Sequence, residues 1–90
     1  MKKHFKIKIT GRVQGVWYRG SMQKKARQLG LSGFVRNETD GSVYAEAEGE
    51  EGKIKELVEW CRHGPELAKV EKVEVQEGAI CEYMSFDILR

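Results

Sequence analysis

The sequence predicts an α+β fold in which two helices cover one face of an antiparallel sheet. Three observations support this prediction. Apolar and polar residues alternate in several strand-like segments, two other segments repeat with the helical period, and the segments follow one another in the order βαββαβ. With 90 residues and no low-complexity tract, we expect one domain over residues 1–90 with a single hydrophobic core.

The first half of the chain contains the first three strands and the first helix. The alternation in His4–Thr10 predicts a half-buried strand. From Ser21, apolar residues recur at helical spacing, and Gly30 lies where a helix C-terminus favours glycine, so we expect an amphipathic helix of about ten residues. Strand-like segments Ser32–Glu38 and Ser42–Glu48 flank a Thr-Asp-Gly turn, which predicts a hairpin.

The second half adds one helix and the last strands. Helical spacing in Ile54–Cys61 ends at Gly64-Pro65, where the proline cannot continue a helix. Lys69–Gln76 and Met84–Leu89 read as strands, and Glu71-Lys72 interrupts the alternation of the first, which indicates a bulge. The last β unit is therefore two strands or one bent strand. The order is the split βαβ arrangement of ferredoxin-like folds, a two-layer α/β sandwich.

The net charge and its distribution along the chain limit the classes of function that the sequence supports. A net charge of +2 favours small anions but provides no broad basic surface for nucleic acid. All fourteen acidic residues lie from Glu38 onward, so the preceding segment carries basic groups only and favours a localised anion site. No apolar run approaches the roughly 18–20 residues of a membrane span, and no signal-peptide core follows the first methionine. We therefore expect a cytoplasmic protein.

The cysteines and histidines do not form a recognisable metal motif. Cys61 and Cys81 lack CxxC spacing and a nearby histidine pair, so we expect reduced thiols and no metal. A disulfide between them stays an alternative if the protein is exported. His4 and His63 are expected to be exposed, the first on the polar face of its strand and the second at a helix C-terminus.

A glycine-containing segment, residues 11–19 with the sequence GRVQGVWYR, joins the first strand to the first helix. Gly11 and Gly15 allow the backbone to turn successive N–H groups inward, and the helix start adds unpaired N–H donors. Arg19 adds a planar guanidinium that matches a phosphate face. The segment therefore predicts an anion cradle. It lacks the Lys-Ser/Thr ending of P-loops, so neither a nucleotide nor Mg²⁺ is expected.

Two motifs of the chain resemble those of acylphosphatases. The family pattern G-x-V-Q-G-V-x-[FY]-R matches residues 11–19. A second pattern, G-[WFY]-V-x-N followed by a glycine-containing hairpin, matches residues 33–37 and Asp40-Gly41. Two motifs in the right order at the ends of predicted strands are far more specific than either alone. The resemblance covers essentially the whole chain.

The resemblance implies a hydrolase that splits small-molecule acyl phosphates into carboxylate and inorganic phosphate without cofactor or metal. It implies that Asn37 positions the attacking water and that the Arg19 guanidinium holds the phosphate. The phosphate would also be held by backbone N–H groups of Gln14, Gly15, Val16, Trp17, Tyr18 and Arg19. Trp17 departs from the many members that carry a small residue or phenylalanine there. Its indole either shapes the acyl side of the pocket, and so bears on substrate preference, or packs on the helix, and we expect packing over substrate contact. We expect the Tyr18 ring to be buried, with its hydroxyl hydrogen-bonded at the edge of the site.

Two other functions are compatible with the same topology. RNA-recognition modules stack bases on aromatic residues of the two central strands, but here strand one offers His4, Lys6 and Lys8, and Tyr44 lies next to acidic residues. A regulatory module that binds an anion without hydrolysing it is the second alternative, and only turnover separates it from an enzyme. For the oligomeric state we expect a monomer with a guarded edge strand.

Overall fold

The structure, a computed structural model, describes residues 1–89 of the 90-residue chain. It contains five strands and two helices in the predicted order, and the last β unit forms two separate strands. The elements are β1 (Lys2–Arg12), α1 (Tyr18–Gln28), β2 (Ser32–Asn37), β3 (Val43–Glu50), α2 (Glu51–Cys61), β4 (Lys69–Gly78) and β5 (Phe86–Ile88). Each helix begins three residues before the position that periodicity indicated, α1 at Tyr18 instead of Ser21 and α2 at Glu51 instead of Ile54.

The strands form one sheet in the order β4-β1-β3-β2-β5. The pairs β1–β3, β1–β4 and β2–β3 are antiparallel, as predicted, but β5 pairs with β2 in parallel. The sheet is therefore mixed. The parallel pairing arises because β4 lies at one edge and β5 at the other, so the chain crosses the whole sheet before it forms β5.

The predicted bulge is present between β1 and β4. Thr10 pairs with Lys72 and Gly11 pairs with Val70, so Glu71 has no partner on β1. Gly11 has a φ of 128°, and a Cβ at this position would lie 2.2 Å from the carbonyl oxygen of Lys69. A larger residue is excluded at Gly11 because the two backbones approach closely at the bulge.

The core lies between the sheet and the two helices. Ile7 and Ile9 of β1 are fully buried, as the alternation predicted. They pack with the apolar stripes of the helices, which include Met22 of α1 and Leu57 of α2. This packing fixes α1, and with it the loop that precedes α1, against one face of the sheet.

Part of the opposite face of the sheet is covered by residues 79–85, which we call the crossing segment. The backbone N–H groups of Cys81 and Tyr83 donate to the carboxylate of Glu48 on β3. The Tyr83 ring stacks at 5.9 Å on His4 and meets Phe34 edge-on at 5.8 Å. The crossing segment thus contacts β1, β2 and β3 on the way from β4 to β5.

The prediction that His4 is exposed is wrong. Its side chain is 1% exposed because the crossing segment lies over it. His4 Nδ1 lies 2.7 Å from Glu48 Oε2, and Nε2 lies 2.7 Å from Glu46 Oε1. Both ring nitrogens therefore lie within hydrogen-bond distance of a carboxylate oxygen of β3. His63, in contrast, is exposed as predicted.

Within residues 1–89, no helix is long and apolar enough to cross a membrane.

Candidate active site

The loop between β1 and α1 has the backbone geometry of an anion cradle. Gly15 has a φ of 74° and Trp17 a φ of 65°, so two of its residues are left-handed. The N–H groups of residues 14–17 donate no hydrogen bond to an acceptor within residues 1–89. Because α1 begins at Tyr18, its first N–H groups also lack intrahelical partners. The loop thus presents a run of free donors at the positive end of a helix.

The Gln14 side chain ties this loop to the β2–β3 hairpin. Its Nε2 donates to the carbonyl oxygens of Glu38, at 2.8 Å, and Ser42, at 2.9 Å. Both acceptors follow Asn37 closely in the chain, so these two bonds hold the loop near the end of β2. The carboxamide is therefore occupied in positioning the loop, and the Gln14 N–H group is the part that is free to bind an anion.

Tyr18 anchors the start of α1. Its ring is 1% exposed and packs against Trp60 at a centroid distance of 5.3 Å. Its hydroxyl donates to the carbonyl oxygen of Cys61 on α2 at 2.6 Å. Burial, with smaller contributions from Cys61, raises the pKa of Tyr18 well above its ordinary value. The ring is buried as predicted, and its hydroxyl bonds the end of α2.

Arg19 lies beside a cavity of about 450 Å³ at the start of α1. Its side chain is part of the cavity wall, and it forms no salt bridge with any carboxylate within residues 1–89. No acidic residue of this described part of the chain lines the cavity. An anion would therefore meet a guanidinium without a competing carboxylate. The lining residues are Val13, Gly15, Trp17, Tyr18, Arg19, Gly20 and Ile88.

Asn37 ends β2 at the same end of the sheet as the loop. β1 and β2 are both antiparallel to β3, so they run in the same direction and their C-terminal ends lie together, roughly 10 Å apart across β3. The Oδ1 atom of Asn37 is buried and has no hydrogen-bond partner within residues 1–89. Buried polar atoms of this kind are normally paired, so this oxygen lacks the partner that such atoms usually have.

The hairpin after Asn37 is held rigidly. Asp40 Oδ1 accepts hydrogen bonds from the Ser42 hydroxyl, at 2.5 Å, and from the Ser42 N–H, at 3.0 Å. Lys8 Nζ lies 3.1 Å from the other Asp40 oxygen. These contacts, those with Ser42 first, hold the pKa of Asp40 well below its usual range. The hairpin that receives the two bonds from Gln14 is therefore itself fixed to β1.

One other group of side chains has metal-ligand chemistry. His4, Glu48 and Cys81 place one potential ligand atom each within 4.8 Å of one another. Glu48 already accepts hydrogen bonds from His4 and from two backbone N–H groups, so these donors occupy its oxygens. The group also lies on the helix-free face, under the crossing segment and away from the cavity. We assign it a structural role.

Three residues of the cavity wall, Val13, Gly20 and Ile88, were not predicted as site residues, although Val13 lies in the matched motif. Gly20 lies in the first turn of α1, where a glycine weakens a helix. A glycine at such an unfavourable position could have indicated a site residue. Ile88 reaches the cavity because β5 runs parallel to β2 at the sheet edge. Nothing local in the sequence indicates that placement.

Comparisons with known proteins agree with this geometry. The family model "Acylphosphatase" matches residues 5–88. The acylphosphatase of Methylococcus capsulatus is 47% identical over 89 residues, which are 98% of this chain and 97% of that protein. The acylphosphatase of Acaryochloris marina is 51% identical over 85 residues, 94% and 91% of the two chains. The crystal structure of Bacillus subtilis acylphosphatase covers 100% of both chains with a TM-score of 0.95 and 34% identity. The chain therefore belongs to the acylphosphatase family.

Proposed function

We propose that this chain hydrolyses the carboxyl–phosphate bond of acyl phosphates, with the phosphoryl group held in the loop between β1 and α1. The observation that carries the proposal is the run of unbonded N–H groups in residues 14–17, continued by the start of α1. Backbone donors in this arrangement bind phosphate oxygens, and the Arg19 guanidinium beside them contributes a matching pair of N–H groups.

The chemistry requires little more than positioning. The leaving group is a carboxylate, which is stable at neutral pH, so no protein acid has to protonate it. In a loose phosphoryl transition state, charge is spread over the equatorial oxygens, and fixed donors around them lower the barrier. The N–H groups of Gln14, Gly15, Val16, Trp17, Tyr18 and Arg19, together with the Arg19 guanidinium, are the donors we assign to those oxygens.

Asn37 is the residue we assign to the attacking water. Its orphaned Oδ1 can accept a hydrogen bond from that water and direct the lone pair of the water at phosphorus. A carboxamide cannot remove a proton, and no histidine within residues 1–89 lines the cavity. The water oxygen therefore bonds to phosphorus as the bond to the carboxylate oxygen breaks, and a phosphoryl oxygen of the substrate takes the proton.

The test is hydrolysis of benzoyl phosphate in the presence of EDTA by the wild type and three variants. Arg19→Ala should lower kcat/KM by about 10²- to 10³-fold and weaken phosphate binding, because it removes a charged donor from the transition state. Asn37→Ala should lower kcat while calorimetry still detects phosphate binding. Arg27→Ala is the charge-matched control, since Arg27 is exposed in the last turn of α1.

Different outcomes separate the proposal from its alternatives. Inorganic phosphate should inhibit competitively, because it occupies the same donors as the substrate. Phosphate binding by a wild type that shows no turnover would indicate an anion-binding module instead of an enzyme. Loss of activity in EDTA that added metal restores would contradict the metal-independent mechanism. A base with a pKa near neutrality in the pH–rate profile would contradict proton transfer to the substrate.

RNA binding is less well supported than hydrolysis. RNA-recognition modules present the helix-free face of their sheet to bases. Here the crossing segment covers part of that face, and Tyr83 stacks on His4 where a base would lie. Glu46 and Glu48 on β3 would also repel phosphates. Titration with labelled single-stranded RNA at low salt should therefore show no saturable binding.

We further propose that the protein acts as a cytoplasmic monomer. The cavity, the loop and Asn37 all belong to one chain, so the proposed site does not require a second copy. Light scattering coupled to size exclusion should give the mass of one chain, and a dimer would contradict this proposal. Cell fractionation should recover the activity with the cytoplasmic fraction.

A further inference from the structure

Trp17 has a conformation that its surroundings do not explain. Its side chain is 75% exposed, and its backbone is left-handed with a φ of 65° and a ψ of 26°. This region is unfavourable for a bulky residue. Trp17 is the N-cap of α1, yet its side chain makes no capping hydrogen bond. Neither burial nor capping therefore accounts for an indole here, and unfavourable backbone geometry of this kind is common where a residue binds a ligand.

The indole rests on Gly20, one turn further along α1. A Cβ at Gly20 would lie 2.5 Å from Trp17 Cε2 and 2.6 Å from Cζ2, closer than any side chain can approach. The six-membered part of the ring thus lies against the helix backbone because Gly20 has no side chain. The large exposed fraction of Trp17 means that the rest of the ring remains open to solvent.

This indole belongs to the same cavity as the proposed phosphate donors. Trp17 and Gly20 line it together with Arg19 and Gly15, and Val13 and Ile88 contribute apolar surface. A phosphoryl group bound by the loop places the rest of the substrate within this cavity or at its mouth. The surface that the acyl group meets there is flat and aromatic, and no carboxylate of residues 1–89 lines it.

We propose that the Trp17 indole, seated on Gly20, binds the acyl group of the substrate and selects aromatic over small aliphatic acyl phosphates. The inference rests on the proposed function, because it assigns the acyl half of the same site. An aromatic acyl group stacks on the open part of the ring, whereas an acetyl group is too small to cover it. Trp17 acts here through its side chain, separately from its backbone N–H in the phosphate cradle.

The experiment measures kcat/KM for benzoyl phosphate and acetyl phosphate and takes their ratio in each variant. Comparing this ratio with that of the wild type cancels the different intrinsic reactivities of the two substrates. Trp17→Gly removes the ring, and glycine tolerates the left-handed backbone, so the loop geometry is retained. Gly20→Ala displaces the ring without removing it. Gly52→Ala is the matched control in the first turn of α2, because a Cβ there meets no atom within 4 Å.

The benzoyl-to-acetyl ratio should fall about 2- to 13-fold in Trp17→Gly, the range that an aromatic pair contributes beyond buried area. It should fall in the same direction in Gly20→Ala and stay constant in Gly52→Ala. Thermal melts identify any variant that does not fold, and Gly20→Ala then carries the test alone. An unchanged ratio in folded variants that hydrolyse both substrates would overturn this inference only. No turnover of either substrate by the wild type would overturn the proposed function itself.

Discussion

Replacing Glu48 by glutamine should destabilise the fold strongly, although Glu48 lies away from the cavity. Its carboxylate accepts hydrogen bonds from His4 Nδ1 and from the backbone N–H groups of Cys81 and Tyr83. Glutamine has one acceptor oxygen, so its NH₂ group must face at least one of these three donors. The buried His4 ring would also lose one of its two carboxylate partners. Leaving a buried donor without its acceptor costs about 1–3 kcal/mol, and more when the lost acceptor is charged.

Urea unfolding followed by far-UV circular dichroism measures this loss. A domain of this size unfolds with an m-value of about 1–3 kcal/mol/M, so the midpoint of Glu48→Gln should fall by about 1 M or more. Glu77→Gln is the matched control, because Glu77 pairs with Lys3 at 3.2 Å on the surface, where such pairs contribute about 0–1 kcal/mol. Equal midpoints for the two variants would refute the assignment of Glu48 as the anchor of the crossing segment. Folded Glu48→Gln should keep its benzoyl phosphate activity at low temperature.

Three further predictions concern the hydrogen bonds of Glu48, Tyr18 and Gln14. Burial raises the pKa of Glu48, but hydrogen bonds from Cys81, His4 and Tyr83 lower it by more, so the folded pKa lies below 4.5. The stability that Glu48 contributes is therefore present above about pH 4.5 and is lost as the pH falls below that value. When the free energy of unfolding is measured against pH, the values for the wild type and Glu48→Gln should converge in acid. Tyr18→Phe leaves the buried Cys61 carbonyl unpaired, which costs about 1–3 kcal/mol. Calorimetry should therefore show a Tm lower by at least about 4 °C. An unchanged Tm would contradict the anchoring role of Tyr18. Gln14→Leu removes the two bonds between the loop and the hairpin. It should weaken phosphate binding by about tenfold, which corresponds to a loss of roughly 1.4 kcal/mol. Equal phosphate affinity of the variant and the wild type in calorimetry would contradict the positioning role of Gln14.

The part of the fold that sequence predicted well is the part set by local pattern. The alternation in β1, the hairpin at Asp40-Gly41 and the bulge at Glu71 each depend on a few neighbouring residues, and all three are present. The glycine-containing loop was likewise placed correctly between β1 and α1. Burial of His4 was missed because it depends on the crossing segment, which is far away in the chain. Local alternation describes which face a residue occupies but carries no information about what later covers that face.

The same limit applies to the site. The motifs placed Arg19 and Asn37 at strand and helix ends, but the contacts of Gln14 depend on how the loop meets the hairpin. Because of those contacts, the Gln14 carboxamide supports the loop, while the backbone N–H of Gln14 stays free. The role of Gly20 beneath the indole also emerges only from the distances across one helical turn.

The fold tolerates the unpaired polar groups at the proposed site because other contacts hold the surrounding structure in place. A buried polar atom without a partner costs about 1–3 kcal/mol, and Asn37 Oδ1 is such an atom. The loop could relieve free N–H groups by collapsing, but Tyr18 fixes one end of it to α2 and Gln14 fixes the other to the hairpin. The donors are thus held in place before any phosphate arrives. Donors that need no reorganisation give their full electrostatic benefit to the transition state, so the rigidity of these supports is itself part of the proposed catalysis.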